Sequence, residues 1–138
     1  MGTPRRTVTG VNPNRVSLIL AVLEKRAGAH VSDRDVFVNV AGGVRLDEPA
    51  TDLAVALAIM SSLLEAPLPS GLVAFGEIGL AGEVRAVDLA RQRVAEAMKF
   101  GFSSCVMPRG CMGDLTEDGL ALLPASGIAQ AIEWAMER

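Results

Sequence analysis

Eleven of the thirteen basic residues in this chain are arginine. Arg5, Arg6 and Arg15 gather near the N-terminus, and Arg85, Arg91 and Arg93 form a second group. A guanidinium offers five donors in a planar fork and stays charged at any accessible pH, so it suits carboxylate or phosphate contacts. These six residues are the candidate phosphate contacts; the alternatives for each are a solvated surface position or an intersubunit ion pair. Other reactive groups are few. Cys105 and Cys111 have no second cysteine pair beside them, and with one histidine a zinc site is not expected. Cys105 lies in an apolar run and reads as a small buried hydrophobe. His30, just beyond a helix-ending glycine, reads as a surface imidazole. The sequence holds no Gly-x-x-x-x-Gly-Lys-[Ser/Thr] phosphate loop and no Cys-x-x-Cys pair.

The elements that position these groups follow from pattern. Arg6 to Gly10 reads as a strand, Asn12-Pro13 as an N-cap and first helical residue, and the helix runs to Arg26 with Gly28 as its stop. A strand over 35–40 breaks at Ala41-Gly42-Gly43. Thr51 or Asp52 opens a helix to Leu64 that is apolar nearly all round, which predicts burial on several sides. Strands over 72–78 and 82–87 join through Gly79–Gly82. A helix over 88–100 ends at Gly101, a strand over 104–107 ends at Pro108, and 109–119 is loop. A strand over 120–123 and a helix over 125–136 complete the chain. Alternating strands and helices predict an α/β (α+β) single domain, 1–138, with one mixed sheet and flanking helices.

At 138 residues the chain can bury a sizeable core, and half of it is hydrophobic. Four Phe, one Trp and no Tyr leave that core to aliphatic side chains and argue against base stacking as a binding mode. The longest apolar run, Leu53 to Met60, is too short to cross a membrane. A cytoplasmic location is the default expectation. The formal net charge of −3 conceals an asymmetry, with residues 1–46 at +4 and residues 47–138 at −7.

Four segments resemble the Lon protease domain: Asp35-Val36-Phe37-Val38-Asn39-Val40, the Pro49-Ala50-Thr51-Asp52 loop entering an Ala-rich helix, Phe75-Gly76-Glu77-Ile78-Gly79-Leu80-Ala81-Gly82-Glu83-Val84, and Gly101-Phe102 before the strand ending at Pro108. That resemblance implies the Lon proteolytic-domain fold of the ribosomal protein S5 domain 2-like superfamily. It also implies a catalytic Ser at position 50 and a catalytic Lys at position 93. Here they are Ala50 and Arg93. Alanine has no nucleophilic atom, and a guanidinium with a pKa above ~12 is no general base near neutral pH. The dyad is degenerate, and no catalytic residue is assigned. Thr51, Ser61 and Ser62 remain as displaced nucleophiles for the rival reading of an active peptidase.

A finer resemblance, spanning essentially the whole chain, is to the C-terminal Lon-like domain of the bacterial RadA (Sms) recombination family. Its marks include Asn14-Arg15-Val16 and Glu48-Pro49-Ala50-Thr51-Asp52-Leu53-Ala54. It implies a non-proteolytic fragment, with no cofactor of its own, of a protein carrying an upstream zinc finger and RecA-like ATPase. It further implies a homohexameric ring, a role in branch migration and DNA repair, and contact with single-stranded or branched DNA. The upstream ATPase domain and the RecA recombinase are the implied protein partners, with no membrane. A third reading is a protein-interaction module without DNA contact.

Overall fold

The computed structural model describes residues 3–113, 115 and 119–136. Arg6–Thr9 (β1) leads through Gly10 into helix Pro13–Arg26 (α1), which returns the chain to Val36–Asn39 (β2). β1 and β2 pair in parallel with Arg6 opposite Val36 and Thr9 opposite Asn39. Asn12 caps α1, its side-chain oxygen accepting from the Asn14 amide at 2.8 Å, and Pro13 takes the first turn as its missing N–H allows. Gly10 is required at the β1–α1 junction. Its φ is +93°, and a Cβ there would lie 2.6 Å from the Val40 side chain.

A 3-10 turn over Pro49–Thr51 feeds helix Asp52–Leu64 (α2). Leu53, Ala56, Leu57 and Met60 are buried against α1 and the sheet, whereas Ala54, Ala58, Ser62 and Leu64 are exposed. Burial on several sides was expected from composition, and it holds except along the stripe of Ala54, Ala58 and Ser62.

Leu72–Ala74 (β3), Glu77–Ile78 (β4) and Val84–Arg85 (β5) replace the two longer strands anticipated over 72–78 and 82–87. Gly76 sits at φ +150° between β3 and β4 and redirects the chain. The helix expected from Asp88 begins later, as Ala90–Lys99 (α3), because Leu89 takes left-handed dihedrals at φ 61°. Ser104–Pro108 (β6), Ala121–Ala125 (β7) and Ile128–Met136 (α4) follow. The last strand extends through Pro124, which displaces the helix start from the anticipated Ala125 to Ile128. Residues 114 and 116–118 of the anticipated 109–119 loop lie outside the described residues, and Arg109–Cys111 forms a 3-10 turn.

The class is α/β, but among the described residues the single mixed sheet is corrected to three small ones: parallel β1-β2, parallel β3-β6-β7, and the antiparallel hairpin β4-β5. The bend at Gly76 is what separates β3 from β4. Side chains of β6 alternate between two cores, as a period of two dictates. Val106 joins the cluster built by α1, α2 and α4, while Cys105 and Met107 join Val94 and Ala97 of α3. Helices therefore cover both faces of β3-β6-β7. Among the described residues no helix is long and apolar enough to cross a membrane.

Candidate functional site

The loop ahead of α2 is pinned to the Gly76 bend. The Gly76 amide donates to the Ala50 carbonyl at 2.8 Å, and the Leu53 amide donates to the Gly76 carbonyl at 3.0 Å. A side chain at Gly76 would meet Val84 at 3.0 Å and Pro108 at 3.2 Å, so the close approach depends on glycine. Ala50 is buried as a result. Thr51 donates its hydroxyl to the Glu48 carbonyl at 2.8 Å, closing the turn, and Ser61 donates to the Ala66 carbonyl at 2.6 Å beyond the helix end. Two of the three hydroxyls weighed as displaced nucleophiles thus serve local backbone geometry. Ser62 is exposed on α2.

Arg93, in the first turns of α3, reaches back to that loop. One terminal nitrogen donates to the Glu48 carboxylate at 2.7 Å, and Asp88 lies 3.6 Å away. Its Nε donates to the Asp88 carbonyl at 3.1 Å. The guanidinium carbon stands 5.9 Å from the centroid of the Phe75 ring, next in sequence to Gly76. Positions 50 and 93, far apart in the chain, are therefore brought to one place through Glu48, Phe75 and Gly76. The group held there is a permanent cation, which can bind an anion but cannot accept a proton.

Arg15 of α1 lines a small hollow with Glu48 and Thr51 of the same loop. It donates to Asp52 through both Nε, at 3.3 Å, and a terminal nitrogen, and that terminal nitrogen also reaches the Ile78 carbonyl at 3.4 Å. Asp52 is 2% exposed and also accepts from the Ile78 amide at 3.0 Å. The hydrogen bond to Asp52 raises the Arg15 pKa above its ordinary value, with burial opposing it. One carboxylate thus ties α1, α2 and β4 together.

The remaining candidates are distributed. Arg6 turns its guanidinium onto the carbonyls of Val31, Ser32 and Arg34, closing the loop that precedes β2. Arg5 is exposed beside it, its backbone amide donating to Asp35 at 2.7 Å. Arg85 of β5 pairs with Glu83 at 3.0 Å. Arg91 is exposed on α3, two residues before Arg93. Glu48, Asp52 and Phe75 did not emerge from sequence reasoning as partners. The available signal for Asp52 was an acid opening an otherwise apolar helix, where burial demands a cation.

A groove of about 640 Å³ runs between β2 and the open side of α2, lined by Val36, Val38, Val55, Ala58 and Ile59 among others. Among the described residues β2 pairs only with β1, and Phe37 is exposed.

Burial pushes the Cys105 thiol up to about 12, so it stays protonated and inert. His30 is exposed.

The family model described as subunit ChlI of Mg-chelatase matches residues 1–111. Curated relatives align over nearly the whole chain. DNA repair protein RadA of Aquifex aeolicus is 50% identical over 131 residues, covering 95% of this chain and 29% of that protein. The proteins of the same name from Halalkalibacterium halodurans and Salmonella typhimurium are 46% identical over 138 residues and 43% over 132. Those alignments cover 99% and 96% of this chain, and 30% and 29% of the relatives. The chain spans under a third of the length of these relatives.

Proposed function

The chain belongs to the family described as subunit ChlI of Mg-chelatase and matches the C-terminal region of DNA repair protein RadA, and from that premise we propose a non-proteolytic Lon-like domain that builds a hexameric ring and helps hold DNA during recombination, branch migration and repair. The observation that carries the non-proteolytic reading is the pairing at positions 50 and 93. A buried alanine stands where a nucleophile would be, and a guanidinium bound to Glu48 stands where a base would be. Neither residue can perform acyl transfer.

Ring assembly is supported by the edge of β2 left unpaired among the described residues and by the apolar stripe of α2, a surface suited to a neighbouring subunit. In a ring each subunit uses two different patches head to tail. DNA contact is proposed through Arg5, Arg85, Arg91 and Arg93. Arg6 and Arg15 hold the fold by internal bonds and contribute through position. Sixfold repetition of a modest basic patch would supply avidity that one subunit lacks. The attached ATPase, the RecA recombinase and a cytoplasmic setting belong to the same proposal, and the chain itself is assigned no enzymatic activity and no cofactor.

Light scattering across a tenfold concentration range at low and moderate salt tests the ring. A mass six times that of the 14.4 kDa chain is expected. A monomer throughout overturns the autonomous ring. The double variant Arg91→Ala with Arg93→Ala tests the DNA contact: weaker binding with a flatter salt dependence is expected, and unchanged salt slopes remove it.

A further inference from the structure

Arg93 carries its own counter-ion, and the strength of that pair decides what it can do. The Phe75 ring stands close to the guanidinium, and the Asp88 carbonyl accepts its Nε. The bond to Glu48 comes from a loop carboxylate that is 59% exposed. Exposed ion pairs of this kind are weak and screened by salt. A phosphate oxygen presented to the same nitrogen makes an equivalent charge-assisted bond.

We propose that Glu48 is an internal competitor for a phosphodiester site on Arg93. Single-stranded DNA binds there by exchanging a phosphate for the Glu48 carboxylate, which releases the Glu48 side chain from α3. The site is masked rather than absent, and the exchange couples nucleic-acid occupancy to the segment that opens α2. The inference rests on the DNA-contact reading above and adds to it a named residue that opposes binding.

The test compares Glu48→Gln, Arg93→Gln, the double variant, and Glu65→Gln as a control. The control removes the same charge at an exposed position beyond the far end of α2. Affinity for a fluorescent single-stranded oligonucleotide is read by anisotropy at several salt concentrations, with circular dichroism confirming that each variant is folded. Glu48→Gln is expected to tighten binding about two- to five-fold, the range that an exposed ion pair is worth. Glu65→Gln should change it less, and the gain should vanish when Arg93 is also Gln.

Equal gains from Glu48→Gln and Glu65→Gln would overturn the competition, leaving only a net-charge effect. A gain that persists without Arg93 would overturn it as well. If Arg93→Gln leaves affinity and salt slope unchanged, the DNA contact at this helix falls with it. Binding by none of the proteins overturns both readings. Inorganic phosphate serves as a competitor against chloride at matched ionic strength, and selective displacement by phosphate would assign the site to the free anion instead.

Discussion

Replacing Asp52 by alanine removes both acceptor oxygens from the junction of α1, α2 and β4. The Ile78 amide, beside a side chain that is 2% exposed, loses its partner in a dry environment at a cost of roughly 1–3 kcal/mol. Loss of the bonds from Arg15 adds roughly 1.5–3 kcal/mol, reduced because that side chain is 33% exposed and can reach water. The sum is about 3 kcal/mol, at the lower end for breaking a buried ion pair. For a domain of this size that corresponds to a fall in Tm of about 10 °C. Asp52→Asn keeps one oxygen for the amide and is expected to lose about half as much. Arg15→Ala strands a carboxylate that is 2% exposed, so it should cost more than either. Thermal and urea denaturation followed by circular dichroism at pH 7 gives the order. An Asp52→Ala variant within 1 kcal/mol of the parent, or an Arg15→Ala variant milder than Asp52→Asn, would refute the reasoning.

Gly10→Ala combines a left-handed backbone with a Cβ 2.6 Å from Val40, and a loss of about 3 kcal/mol is expected in the same denaturation assay. Of the two free cysteines, Cys111 is partly exposed and Cys105 is buried with its thiol pushed up to about 12. A thiol reagent should therefore label one site per chain near pH 8 and two only after unfolding, and rapid native labelling of Cys105 would contradict its packing. Restoring Ser at position 50 together with Lys at 93 should not produce digestion of unfolded casein. The lysine would still face Glu48 and Asp88, which favour its charged form, and a base must be neutral to accept a proton.

The local signals were largely legible. Asn12-Pro13 announced the start of α1, Gly28 its end, and the period-two pattern over 35–40 announced β2. What failed depended on single dihedrals. Leu72 to Ile78 reads as one strand because Val73, Phe75 and Ile78 favour a sheet, and nothing local reveals that Gly76 must bend to meet Ala50 and Leu53. Leu89 likewise gives no warning of its positive φ. The arginines were visible as a class, but their partners were not. Asp52 is 37 residues from Arg15 and Glu48 is 45 from Arg93, so pairing follows from tertiary packing that pattern reasoning does not reach.

The central strand β6 contributes side chains to both hydrophobic clusters, and its two neighbours β3 and β7 lie in register on either side. Neither cluster can open without unzipping a strand that the other requires, so the two halves are thermodynamically one cooperative unit. The amides of Cys105 to Met107 should be released to solvent hydrogen exchange only in global unfolding, and the loop around Glu48 well before it. The loop that carries Glu48 can thereby loosen while the strands that keep the molecule folded stay closed.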